Sequence, residues 1–98
     1  MTRTVKLSVT GRVQGVGYRA FVATQANQLG LAGWVRNRID GSVEVVVHGV
    51  AEKIDRLVET CREGPQAAQV NTLHVVDAAE DAMDLRRSGE KFSMLPTM

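Results

Sequence analysis

The stretch Gly11-Arg12-Val13-Gln14-Gly15-Val16-Gly17-Tyr18-Arg19 constrains this chain more than any other. Before it, Val5, Leu7 and Val9 alternate with Thr4, Lys6, Ser8 and Thr10, which is the signature of a half-buried strand over Arg3 to Thr10. After it, Val22, Ala26 and Leu29 recur at helical spacing, so Ala20 to Leu29 reads as a helix that Gly30 ends. The strand therefore passes into the helix through three glycines in seven residues. Glycine accepts the backbone angles that turn successive N–H groups into one small space. The first helical turn adds unpaired N–H groups and the positive end of the dipole. The N–H groups of about Gln14 to Arg19 thus form an anion cradle sized for one phosphate or carboxylate. Arg19 closes it with a guanidinium fork that matches two phosphate oxygens.

The rest of the chain supplies the frame for this loop. A second strand covers about Gly33 to Arg38 and a third runs from Ser42 to His48, joined by the turn signal Asp40-Gly41. Val43, Val45 and Val47 give the third strand its inward face, which sends His48 to the solvent side. Ala51, Ile54, Leu57, Val58 and Cys61 form a stripe on a helix over Ala51 to Glu63, which Gly64-Pro65 ends. A fourth strand fits Val70 to Val76, with Leu73 and Val75 on one face. Asp77 to Glu90 is polar and reads as a long loop; a short fifth strand is expected around Phe92 to Met94, ending before Pro96. The order βαββαβ, with that short extra strand, is the split βαβ arrangement of a ferredoxin-like α+β sandwich. It predicts an antiparallel sheet with both helices on one face. At 98 residues the chain is expected to form one domain, 1–98.

Composition and spacing count against several uses of these residues. A net charge of +1 offers no basic field for a sequence-independent grip on nucleic acid. RNA-recognition domains share the strand order but stack bases on aromatics of the two central strands. Here Tyr18, Phe21, Trp34 and Phe92 all lie outside Thr4–Thr10 and Ser42–His48. Gly15-x-Gly17-x-x-Ala20, with Asp40 downstream, fits the loose dinucleotide fingerprint, but it lacks both the tight turn and the repeated βαβ units. No Gly-Lys-Ser/Thr follows, so a Walker loop fails. His48 and His74 have no partner at ligand spacing, and no metal site is expected. Cys61 belongs to an apolar stripe and reads as packing, as does Trp34; Asp40 and Glu44 read as turn and strand residues. One cysteine fits a reducing cytoplasm, and the N-terminus shows neither a signal peptide nor a membrane span.

Gly11 to Arg19 resembles the phosphate-loop signature of the acylphosphatase family, and Gly33-Trp34-Val35-Arg36-Asn37-Arg38-Ile39-Asp40-Gly41-Ser42-Val43-Glu44 resembles its second signature. The likeness covers roughly Thr4 to Val76 and implies the same fold. It also implies hydrolysis of the carboxyl–phosphate bond of a small-molecule acyl phosphate to a carboxylate and inorganic phosphate. It places the catalytic arginine at Arg19, the water-orienting asparagine at Asn37, and the phosphate loop at Gln14, Gly15, Val16, Gly17, Tyr18 and Arg19. A neutral amide both donates and accepts, so Asn37 is able to orient a water without ionising. Neither signature holds a side chain that titrates near neutrality, which leaves a substrate phosphate oxygen to take the water's proton. Arg19 and the loop supply the positive charge, so no metal or cofactor is expected. A cytoplasmic monomer with no nucleic-acid or membrane partner completes the reading. The alternative is a module of the same fold that holds a phosphate or phosphoprotein without turnover. The chain departs from the family at its end, Lys91 to Met98, and at His48, where an acidic residue is common.

Overall fold

Alternation in the first strand divides the sheet into two faces, and the computed structural model, which describes residues 1–98, shows what covers each. The elements are β1 (Thr2–Arg12), α1 (Tyr18–Gln28), β2 (Ala32–Asn37), β3 (Val43–Val50), α2 (Ala51–Glu63), β4 (Gln69–Asp77), a short 3-10 helix (Glu80–Leu85) and β5 (Phe92–Met94). The sheet order is β4-β1-β3-β2-β5. Central β1 pairs antiparallel with both β3 and β4, and β2 pairs antiparallel with β3. On the inner face Val5, Leu7 and Val9 join Val43, Val45 and Val47 beneath Val22 and Ala26 of α1 and Ile54, Leu57 and Cys61 of α2. Side chains of this kind, fully buried, contribute roughly 1.5–3 kcal/mol each. Both long helices cover this face. No helix is long and apolar enough to cross a membrane.

The opposite face is where the structure departs from the sequence-based expectation. β5 pairs with β2 in parallel, Trp34 opposite Ser93, so the sheet is mixed rather than wholly antiparallel. The physical reason is the route of the chain. β4 lies at one edge and β5 at the other, so the connection between them crosses the outer face. The stretch expected to be a polar loop carries the 3-10 helix, whose Met83 packs with Trp34, Val46 and Leu95 in a small second core. Trp34, 2% exposed, donates from Nε1 to the carbonyl of Ala82 at 2.7 Å, and the Arg36 guanidinium lies 4.8 Å from its ring centre. One buried methionine among charged residues has no periodicity to reveal it.

The strand limits otherwise lie close to expectation, and α1 begins two residues earlier, at Tyr18. His48 does lie opposite the inward valines, but it is only half exposed, and its Nδ1 is hydrogen-bonded to Thr4 Oγ1 at 2.7 Å. β5 stops at Met94, before Pro96, yet the chain stays beside β2. Leu95 N–H donates to the Val35 carbonyl at 2.9 Å and Met98 N–H to the Asn37 carbonyl at 3.1 Å. Pro96, which has no N–H, falls between these two bonds.

Gly33 shows how tightly β2 is seated. Its φ is 153°, and an added Cβ would overlap the Val46 carbonyl oxygen of the neighbouring strand. Gly33→Ala is therefore expected to destabilise the protein by about 3 kcal/mol or more, from backbone strain and overpacking together. That loss corresponds to a melting temperature lower by roughly 12 °C or more in a chain of this size. Thermal unfolding followed by circular dichroism checks it.

Candidate active site

The loop between β1 and α1 is held from both sides by the core. Val13 is buried at its start and Tyr18 at its end, each in the same cluster as the sheet valines. Between them Gly15 (φ 74°) and Gly17 (φ 81°) adopt the left-handed conformation, which is what reverses the chain. An added Cβ would meet nothing within 4 Å at either position, so glycine is required there by backbone angle rather than by space. Gly17 is also the N-cap of α1, and no side chain caps the helix. The first bond of that turn runs from Phe21 N–H to the Gly17 carbonyl at 3.0 Å. No turn, loop or cap bond within the protein has its donor among the N–H groups of residues 14–20.

Five of these residues border a cavity of about 140 Å³. Gly15, Gly17 and Tyr18 line it from the loop, Arg19 from the first turn of α1, Asn37 from the end of β2 and Met94 from β5. Two positions about twenty residues apart in sequence thus meet because α1 packs over the β2 edge of the sheet. Arg19 is half-buried, and its Nη1 donates to the Leu95 carbonyl at 3.3 Å. Of the five N–H donors on the guanidinium, that bond uses one. Asn37 is paired with Val43 across the hairpin. Its Oδ1 is buried without a hydrogen-bond partner, and no other buried side-chain oxygen or nitrogen is left so. A buried acceptor left unpaired costs about 1–3 kcal/mol. Asn37 Oδ1 is an unpaired acceptor on a residue that lines the cavity.

Of the six loop residues singled out by sequence, Gln14 and Val16 do not line the cavity. Val16 packs against the main core. The Gln14 side chain turns to the β2–β3 hairpin, where Nε2 donates to the carbonyls of Arg38 and Ser42, both at 2.8 Å. The other two arginines of the second signature are engaged elsewhere. Glu44 accepts from Arg36 Nε at 2.8 Å and Arg38 Nη1 at 3.4 Å, with Lys6 Nζ at 3.9 Å. Arg19 is therefore the one guanidinium lining the cavity. Sequence reasoning missed the contribution of the C-terminal segment, because nothing in Met94 or Leu95 signals contact with residues some 75 positions earlier.

The family model described as Acylphosphatase matches residues 5–93 of the chain. The chain belongs to the acylphosphatase family. An acylphosphatase of Rhodopseudomonas palustris (strain BisB18) is 55% identical over 93 residues, covering 95% of this chain and 94% of that protein. Among solved structures, an acylphosphatase from Bacillus subtilis aligns with a TM-score of 0.81 at 34% identity, covering 97% of this chain and 99% of that one. One from Coxiella burnetii gives 0.82 at 31%, covering 96% and 93%.

Groups that an acylphosphatase site of a different chemistry would need lie apart from this cavity. The phenol of Tyr18 points into the core, where Oη donates to the Cys61 carbonyl at 2.7 Å and burial drives its pKa well above the usual range. Burial likewise pushes the Cys61 thiol up to about 12. Asp40 is an exposed turn residue; its Oδ1 accepts from Ser42 Oγ and N–H, at 2.7 and 2.9 Å, and these bonds hold its carboxyl below the usual range. Only a thiolate reacts with alkylating reagents at a useful rate. Iodoacetamide at pH 8 is therefore expected to leave Cys61 unmodified and turnover intact in the folded acylphosphatase, and to label it fully in denaturant. Mass spectrometry with a parallel activity assay checks this, and inactivation in step with labelling of folded protein would mark Cys61 as functional.

Proposed function

We propose that this chain hydrolyses acyl phosphates to a carboxylate and inorganic phosphate, with Arg19 and Asn37 as its catalytic residues. The observation that carries the reading is a convergence. Loop residues whose N–H groups lack protein acceptors, an arginine, and an asparagine whose buried amide oxygen has no partner all line one small cavity. The first two suit a phosphoryl group and the third suits a water molecule.

An acyl phosphate carries its own good leaving group, so catalysis reduces to holding the phosphoryl group, stabilising its charge and aiming a water. In this reading the N–H groups from Gln14 to Arg19 hold the phosphoryl oxygens through charge-assisted bonds. Arg19 grips two of them and stabilises the negative charge that spreads over the equatorial oxygens in the transition state. Asn37 Oδ1 accepts a hydrogen bond from the water and orients its oxygen towards phosphorus. The water oxygen bonds to phosphorus as the bond from phosphorus to the acyl oxygen breaks. The carboxylate leaves with that electron pair, and a phosphate oxygen takes the water's proton. The positive charge comes from Arg19 and the helix N-terminus, so the proposed steps call on no metal or cofactor.

The partner in this account is a small-molecule acyl phosphate, and the protein acts as a monomer in the cytoplasm. Its single cysteine, buried and free, fits a reducing compartment. The second reading, a module that binds phosphate without turnover, uses the same cradle but gives Asn37 Oδ1 no role.

Replacing Arg19 separates chemistry from binding. Arg19→Gln keeps length and some hydrogen bonding but removes the charge and the fork. Turnover of benzoyl phosphate is expected to fall on the order of a hundred- to a thousandfold, equivalent to roughly 3–4 kcal/mol of transition-state stabilisation. Inorganic phosphate should bind more weakly too, while the melting temperature stays within a few degrees. Arg19→Lys should recover little, since a point charge does not grip two oxygens in a plane. Near-normal turnover in a folded Gln variant would remove Arg19 from the chemistry and leave a phosphate-binding loop.

A further inference from the structure

The Gln14 side chain joins the phosphate cradle to the hairpin that carries Asn37, and nothing in the chemistry above accounts for it. Its two amide N–H groups go to two different strands' ends. One reaches the carbonyl of Arg38, the residue after Asn37; the other reaches the carbonyl of Ser42, next to Val43, which is Asn37's partner across the hairpin. Both bonds are 2.8 Å and partly buried. The same two carbonyls already close the hairpin neck. Ser42 O accepts from Arg38 N–H at 2.8 Å, and Arg38 O accepts from Gly41 N–H at 3.1 Å. A carbonyl oxygen has two lone pairs, so the amide completes both acceptors. No other residue of the cradle hydrogen-bonds to the hairpin through its side chain.

We propose that Gln14 is a positioning residue for the reaction, fixing the distance between the phosphate cradle and the water held by Asn37. The inference rests on the roles assigned to Arg19 and Asn37 above. The cradle belongs to the loop entering α1 and Asn37 belongs to β2, so in-line attack requires the two to be set against each other to a fraction of an ångström. Sheet register fixes Asn37 along β2, and the core fixes the loop at Val13 and Tyr18. The Gln14 amide spans the gap between loop and hairpin. Phosphate binding needs the cradle alone, whereas turnover needs cradle and Asn37 in register, and that difference makes the role testable.

Gln14→Met keeps length and removes both donors; Gln14→Asn keeps the amide but is one methylene too short. Turnover of benzoyl phosphate, affinity for inorganic phosphate and melting temperature are measured for each, alone and combined with Asn37→Ala. Misplacement of a reacting group by about 1 Å costs up to a hundredfold, so Gln14→Met should lower kcat on the order of ten- to a hundredfold. Phosphate affinity should stay within about threefold of the parent, and Gln14→Asn should fall between the two. In the Asn37→Ala background the same Gln14 substitutions should change kcat by less than about twofold, because the geometry they disturb is already lost. Equal losses in both backgrounds, or phosphate affinity falling in parallel with kcat, would overturn the proposal and make Gln14 a support of the loop itself. Near-normal turnover in Asn37→Ala alone would instead refute the water-orienting role on which the proposal stands. If Gln14→Met melts too low to assay, the Gln14→Asn comparison decides in the same way.

Discussion

A protein that leaves its own backbone donors unpaired must hold them in place by other means. The N–H groups of residues 14–20 have no acceptor within the chain, and five of those residues line one small cavity. Two left-handed glycines set the loop's turn; Val13 and Tyr18 bury its ends in the core. Tyr18 goes further, crossing to α2 through its bond to the Cys61 carbonyl, so the start of one helix is fastened to the end of the other. Electrostatic stabilisation of a transition state is strong only when donors need no reorganisation as charge develops. The hydrophobic core holds both ends of the loop, so in the proposed mechanism the inner face of the sheet supplies that rigidity.

The outer face contributes from the other direction. The connection leaving β4 must reach the far edge of the sheet, and crossing the outer face lets Met83 and Leu95 cover Trp34 and Val46. That path delivers Met94 to the cavity wall and the Leu95 carbonyl to Arg19. It also delivers Met98 N–H to the backbone carbonyl of Asn37. On the same face Glu44 gathers Lys6, Arg36 and Arg38, which keeps two guanidinium groups of the second signature occupied. The pairs to the more exposed Lys6 and Arg38 add little stability. The cluster's effect is selective, leaving Arg19 as the guanidinium in the cavity.

What the sequence discloses, and what it hides, follows from the range of each interaction. Strand alternation in β1, the Ala51–Glu63 stripe and the glycines before α1 are local patterns, and the elements form where those patterns lie. The two signatures single out Arg19 and Asn37, and both line one cavity. Parallel pairing of β5 was not legible, because a three-residue strand carries no direction and its partner lies about sixty residues earlier. The 3-10 helix was hidden for the same reason, with a single buried side chain and no repeat. Gln14 is the instructive case. Its position in a glycine-rich loop pointed to its backbone N–H, while its side chain serves a hairpin more than twenty residues away. Side-chain bonds of that span leave no local trace.

Attack by water on phosphorus, rather than on the acyl carbon, is the central claim, and the destination of solvent oxygen tests it directly. Benzoyl phosphate is hydrolysed in heavy-oxygen water by protein freed of metal with a chelator, and both products are analysed by mass spectrometry. A cradle that presents the phosphoryl group to a water on Asn37 places a single solvent oxygen in the phosphate and none in the benzoate. Label in the benzoate would show attack at the carbonyl carbon, and absence of turnover would show a binding module; either contradicts the account.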